Sequence, residues 1–435
     1  MDYLRKNSMK KLLIAIISLV AVGLIAPKFI GSLVETEYQL ALEKIAKNPA
    51  ITINASTYSR DWFSGKVTTD MTVLLHDDEV GNINLIVEDN LAFGPVIFTD
   101  SGVIFALSYS QANINFKELS FDEEIADFIN DKIHLTGLLT FSKDVVTSIV
   151  IDEVSKEVDG NKITSSKAEG EFVLENNARI YGEFNWDGLT ASTSERNFSV
   201  GKTSLTIDQR LIAGDYYQGN AISMGDFNLV VSSINANDAM GNEMLLLKTL
   251  LISAMSSVDK GLMKISVNYG AKEVKAAGQH LKNANLAVVF DSIDIKVMQE
   301  VNTLLANISA NGEEMFNEQN MEKISSLVTK LLANDPILEI KDISVETPEG
   351  KIKSAMQVTI DKNVFDVNNL MSIMPALKAD ANGKAPMLFF AKLGLAPMID
   401  MYVEQGLLLK KEQELSFKAS FSQGQLQING NVIPL

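Results

Sequence analysis

From Ile51 onward the chain alternates apolar and polar residues with a period of two. In RIYGEFNW (179–186), Ile180, Gly182, Phe184 and Trp186 fall on one side and Tyr181, Glu183 and Asn185 on the other. In LSFKASF, Leu415, Phe417, Ala419 and Phe421 alternate with Ser416, Lys418 and Ser420. Successive side chains of a strand point to opposite faces, so the pattern predicts antiparallel strands with one apolar face and one wetted face. The turn SQGQ ahead of Leu426 and Ile428 makes 412–431 a hairpin. Pro348-Glu349-Gly350 turns a second one, whose return strand keeps Ile352, Met356, Val358 and Ile360 on one side. The Leu- and Met-rich stretch from Gly241 to Gly278 suits a helix by propensity. Its later KGLMKISVNYG alternates, and we read the whole stretch as mostly strands broken by turns.

The period changes to that of a helix only in the second half. Val297, Met298, Val301, Leu304, Leu305 and Ile308 share a helix face opened by Asp294. Met321, Ile324, Leu327, Val328, Leu331 and Leu332 form a second, ended by Asp335-Pro336. A third lies in APMLFFAKLGLAPMIDMYVEQG, where Pro397 kinks or splits it. The expected fold is mainly β (α+β): an N-terminal anchor helix, then an elongated, curved antiparallel sheet with a few amphipathic helices on it in the C-terminal half. The expected segments are 1–35 (basic stub and anchor), 36–290 (β region), 291–335 (helical pair) and 336–435 (closing α/β segment). No Pro/Gly/Ser-rich linker separates them.

The N-terminus carries the clearest address. Arg5, Lys6, Lys10 and Lys11 precede an uncharged apolar run from Leu12 to Pro27. A basic flank followed by such a run marks a segment that enters a membrane with its basic end left in the cytoplasm. The expected anchor residues are Leu12, Leu13, Ile14, Ile16, Ile17, Leu19, Val20, Val22, Leu24 and Ile25. Ala21-Val22-Gly23 offers the small residues a signal peptidase reads, so a cleaved signal is the alternative. The run falls slightly short of a full span, and Phe29, Ile30 and Leu33 extend it if Lys28 snorkels. A net charge of -17 argues against nucleic acid as a partner and against docking on anionic lipid. The chain has no cysteine, which suits an oxidising compartment and leaves no thiol to carry a lipid, a zinc ion or redox chemistry.

Catalytic signals are thin. His76, His134 and His280 lie far apart with no metal-binding spacing, and no glycine-rich phosphate loop or nucleophile elbow is present. We expect no catalytic residue, no metal site and no cofactor. Met298, Met321, Met371, Met374 and Met398 could form an adaptable lid over an apolar ligand, against which stands ordinary core packing. The densest aromatic cluster is YSRDWFSG (58–65). Rings beside a guanidinium could stack on a ligand, but at the start of a sheet they more often pack. Trp62 and Phe63 are expected to cap the first strand pair while Arg60 stacks on Tyr58 or meets a carboxylate. Gly94-Pro95 turns the chain after a strand.

On these residues the chain resembles the YdgA family of Gram-negative envelope proteins. The resemblance is carried by the basic-then-apolar N-terminus, by Tyr58, Arg60, Trp62, Phe63 and Ser64 entering a strand, by Phe93, Gly94 and Pro95, and by the ending ASFSQGQLQINGNVIPL. Family members often have glycine where Asp61 stands and histidine where Phe93 stands, which argues against a catalytic role for the turn. The resemblance implies a single-pass inner-membrane protein with its body in the periplasm and no catalytic residues to carry over. Expected partners are therefore the inner membrane, a lipid or other apolar ligand along the sheet, or an envelope protein docking on an exposed strand edge such as Leu426–Ile433. A carboxylate-dependent hydrolase is the remaining reading.

Overall fold

The structure, a computed structural model, describes residues 2–74, 82–100, 102–118, 132–158, 160–311, 317–366 and 369–434. Within them, side chains are described from residue 23 onward, apart from 118, 158, 309–311 and 370.

A long helix, α1 (Asp2–Ile45), opens the chain, with Pro27 inside it. The first strands are β1 (Ile51–Arg60), β2 (Ser64–Val73), β3 (Ile83–Phe93), β4 (Val96–Thr99), β5 (Gly102–Phe105) and β6 (Ser108–Glu118). Next come β7 (Ile133–Leu139), β8 (Val145–Ile151), β9 (Val154–Val158), β10 (Asn161–Ser165), β11 (Ala168–Glu175) and β12 (Arg179–Trp186). They are followed by β13 (Leu189–Ser192), β14 (Arg196–Val200), β15 (Thr203–Ala213), β16 (Ile222–Asp238), β17 (Glu243–Asp259), β18 (Leu262–Ala276) and β19 (Gln279–Asp294). Two helices interrupt, α2 (Ile295–Asn311) and α3 (Glu318–Leu332), before β20 (Ile337–Thr347) and β21 (Gly350–Ile360). A short α4 (Ile373–Ala376), β22 (Leu377–Pro386), α5 (Met387–Lys392) and α6 (Ala396–Glu404) lead to β23 (Leu409–Lys411), β24 (Glu414–Ser422), β25 (Gln425–Ile428) and β26 (Asn431–Ile433).

All strands but β4 and β5 join one antiparallel sheet that does not close into a barrel. Its main path follows the chain: β1, β2, β3, β6, β7, β8, β11, β12, β15, β16, β17, β18, β19, β20, β21, β22, β24, β25, β26. Because β20 pairs with β19, the expected closing segment 336–435 continues the same sheet across the helical pair. The stretch 241–278 forms β17 and β18, and both expected hairpins are present. Helix α2 is capped as its sequence predicts, with Asp294 Oδ1 accepting from Lys296 N at 2.8 Å. The third helix is split into α5 and α6, with Gly394 in the left-handed region at the break and Pro397 in the first turn of α6.

One crease crosses the sheet. Two-residue gaps separate β8 from β9, β10 from β11, β12 from β13 and β14 from β15, and all four fall in line because β9–β10–β13–β14 pair alongside their partners. The line continues into β16, whose 203–213 and 196–200 neighbours meet it on either side of Ser232-Ser233. It reaches β17 at Thr249 and β19 at Asn283, both with positive φ (51° and 48°).

The core is divided. One cluster (Val34, Val67, Leu91, Phe93) joins α1 to the first strands. A second (Ile222, Met263, Ile295) seats α2 on the end of the sheet, and a third (Ile360, Phe365, Ala376) closes the same end. The chain presents 25923 Å² of accessible surface at 47.6 kDa. A compact chain of that mass would expose roughly 16,000 Å². A sheet whose apolar face stays partly in water contributes to the excess.

Candidate functional site

Register decides what each face of the sheet carries. Starting at Phe172 in β11, one row of directly opposed residues runs Gly182, Ile207, Phe227, Ala254, Val267, Val288, Ile340, Met356, Ala381, Ala419 and Ile428. Every residue in it is apolar or glycine. One residue along each strand, or two across the bulge in β20, the opposite face reads Glu171, Glu183, Thr206, Asn228, Ser253, Asn268, Ala287 and Asp342. That polar face carries ion pairs such as Arg179–Asp208 (2.7 Å) and Lys264–Asp291 (2.6 Å). A second layer would bury the apolar row. Instead Ile207, Phe227, Val267, Val288, Ile340 and Met356 all keep part of their surface in water, and nearby Tyr269 and Phe290 are exposed.

Followed the other way, the same row enters a cavity. Phe172 opposes Thr147, then come Gly137 and Ser110. Here α1 lies over the sheet and leaves a space of about 340 Å³, lined by Val34, Tyr38, Leu40, Ala41, Leu139, Val145 and Tyr217, with Ser108, Ser110 and Gly137 among the strand residues lining it. The small strand residues make the room: a Cβ on Gly137 would stand 2.6 Å from Ser110 Oγ. Two lysines at the cavity wall are neutralised, Lys44 by Asp215 (2.8 Å) and Lys143 by Glu37 (2.8 Å). The volume and the mainly apolar wall suit a small apolar ligand or part of a larger one.

One carboxylate breaks the apolar face. Asp89 lies between Val87 and Leu91 on the inward side of β3 and is buried, with Tyr38 and Ser110 beside it. Burial pushes its carboxyl above the usual carboxylate range, while the Ser110 and Tyr38 hydroxyls pull the other way. One Asp89 oxygen and the Tyr58 hydroxyl are buried without a hydrogen-bond partner. Burial, then the charge of Glu35, pushes the Tyr58 phenol up to about 12, and burial raises Tyr38 as well. The reading of the sequence passed over Asp89. Its signal was there: in LIVEDNLAF it is the one acid on the side shared by Leu85, Val87, Leu91 and Phe93.

The residues singled out in the sequence gather where α1 meets the sheet. Tyr58 packs edge-on against Tyr38 at 6.0 Å, and Arg60 pairs with Glu35 on α1 at 3.4 Å. Trp62 donates its indole N–H to the Leu24 carbonyl at 2.6 Å, with the Lys28 ammonium 4.9 Å above its ring. Ser64 begins β2. Phe93 is buried between two glycines, and a Cβ on Gly31 or Gly65 would come within 2.8 or 3.0 Å of its ring. Gly94 stands against the Ala106 carbonyl with no room for a side chain, and Pro95 leads into β4. The cluster therefore clasps α1, and the expected boundary at residue 35 falls inside that helix.

The expected anchor residues from Leu12 to Val22 lie outside the residues whose side chains are described; Leu24 and Ile25 are exposed. Among the described residues, no helix is long and apolar enough to cross a membrane. The methionines expected to form a lid are not all together, and Met321 is exposed on α3. Met298 packs in the α2 cluster, Met371 and Met374 are exposed at the same end of the sheet, and exposed Met398 lies on α6 beyond the other end of the strands. His134 and His280 each face a carboxylate at 2.9 Å, Asp152 and Glu273, on separate parts of the sheet, and His76 lies outside the described residues. Among the described residues, no group of three His, Asp or Glu side chains could hold a metal ion.

A family model covers residues 9–435. The chain belongs to DUF945, a family of bacterial proteins of unknown function. The match takes in α1 from residue 9 on, the cavity and every described strand of the sheet. No curated protein and no solved structure matches the chain.

Proposed function

We propose that this chain is a membrane-anchored, non-enzymatic envelope protein that holds lipid acyl chains on its apolar sheet face, beginning in the cavity beneath α1. The observation that carries the reading is the register row from Ser110 to Ile428, apolar over twelve successive strands from Phe172 and left partly in water. Acyl chains have no hydrogen-bonding groups and follow an apolar strip of any length; each methylene removed from water contributes about 0.8 kcal/mol. The strip starts under the helix whose N-terminal run Leu12–Pro27 has the composition of a membrane segment. In this reading α1 enters the inner membrane, the body stands in the periplasm, and the protein is YdgA-like as its motifs suggest.

A second reading, an interaction scaffold, is favoured by one observation. Among the described residues β26 pairs only with β25, and Val432 is exposed at 59% on this terminal strand, which leaves an edge for strand addition.

The test compares lipid retained by the detergent-purified full chain with that retained by two variants, Ala41→Trp in the cavity and Val267→Asp with Val288→Asp on the row. Lipid around the anchor is common to all three. The reading predicts that both variants, with native circular dichroism, lose most of the remaining lipid. Unchanged lipid in folded variants would reject it.

A further inference from the structure

The hairpin β4–β5 forms a sheet of its own and presents a large apolar exposed surface. Among the described residues it pairs only with itself, Val96 opposite Phe105 and Phe98 opposite Val103. These four side chains share one face and are exposed at 37%, 69%, 81% and 52%. The other face is turned inward, with Ile97 buried, and Ala106 beyond it is fully buried. An isolated Phe on a surface means little, but two stacked cross-strand pairs of large apolar residues on one hairpin face form a contiguous patch.

Its position says what covers it. The hairpin leaves the sheet at Gly94-Pro95, next to Phe93, whose N–H donates to the Phe63 carbonyl at 2.8 Å. Trp62 and Phe63 are themselves about half exposed, and Trp62 is bonded to Leu24. From Leu24 toward the N-terminus, α1 continues directly into the apolar run that the proposed function places in the bilayer. Leu24, Ile25 and Phe29 are exposed on the helix at this level, and Lys28 lies over the Trp62 ring. Aromatic rings with a snorkelling lysine, ringed around an apolar helix at its exit, are the composition of a membrane–water interface.

We propose that the Val96–Phe105 hairpin, with Trp62 and Phe63, is a monotopic membrane contact that rests on the lipid surface beside the anchor. This rests on the reading of α1 as a membrane helix. The hairpin lies on its broad apolar face, since Asp100 at its tip is unsuited to leading the way into hydrocarbon. Such contacts reach about 5–10 Å into the head-group and acyl boundary. With three points of support, α1, the clasp and the hairpin, the mouth of the α1 cavity is held at a fixed height above the bilayer.

The absence of cysteine makes the test direct. Single cysteines at positions 24, 98 and 240, each carrying an environment-sensitive fluorophore, would be placed in the full chain. The chain would be reconstituted in vesicles of phosphatidylethanolamine and phosphatidylcholine, with and without lipid bearing a nitroxide near the head group. Met240, at 86% exposure in a turn at the opposite end of the strands, is the reference. The proposal predicts quenching at 98 comparable to that at 24 and several-fold above that at 240. Quenching at 24 but not at 98 overturns the hairpin contact and leaves the anchor standing. No quenching at 24 overturns both, and equal quenching at 98 and 240 also rejects the contact.

Discussion

Asp89 is the residue whose chemistry differs most from its neighbours. Its folded state holds a proton to higher pH than the unfolded chain does, because burial penalises the carboxylate. The native state then binds more protons than the unfolded state from the ordinary aspartate range up to the raised value. Stability must fall as pH rises through that window. Asp89→Asn removes this loss, so the variant should be more stable than the natural chain at pH 8 and little different below pH 4. Urea denaturation at the two pH values reads this, and an equal difference at both would contradict it. Why Asp89 was not legible follows from composition. With 55 acidic residues in the chain, only its place on the apolar side of one strand marks it. By contrast Tyr58, Arg60 and Trp62 stood out by type and Phe93 by the Gly-Pro turn after it, and what the sequence could not show was their common partner, α1.

At the scale of elements, strands and the paired helices were legible because burial on one side imposes a period. Phe184 and Phe417 alternate with charged or polar neighbours, and Asp294 and Pro397 mark helix ends by local chemistry. Helix α1 was legible as an apolar run whose pattern carries on past Pro27 without a turn signal. The expected segment boundary at residue 35 cuts the helix, since nothing local says that Val34, Tyr38 and Ala41 lie across strands remote in sequence. The Gly94-Pro95 break was read as a turn, and the separate hairpin it introduces was not, since eight residues of apolar strand look alike whether they join a sheet or leave it. Phe93 is the contact that joins α1, β2 and β3. Phe93→Ala should cost about 3–5 kcal/mol, the usual range for a buried Phe cut to Ala. A shift in the urea midpoint measures it, and hydrogen exchange should show the Ile30–Tyr38 amides opening first. A cost below about 1 kcal/mol, within the range of surface changes, would mean that the clasp does not hold the helix.

The whole molecule is built on an open sheet, and among the described residues no second layer covers the middle of its apolar face. That could be foreseen only halfway. Alternation told which face was apolar, but whether two such faces meet or one stays open depends on pairing in space, and here, among the described residues, the main path of the sheet runs from β1 to β26 in chain order as one open sheet. An apolar face left in water costs free energy that a ligand can recover, and the account rests on that ligand being lipid. The most direct measurement is photo-crosslinking in living bacteria with a benzophenone amino acid at Phe227 and, one residue on, at Asn228. These positions share a strand and differ only in the face they occupy. The account predicts lipid adducts on the purified protein from position 227 and none from 228. No lipid at 227, or equal labelling at both, would contradict it.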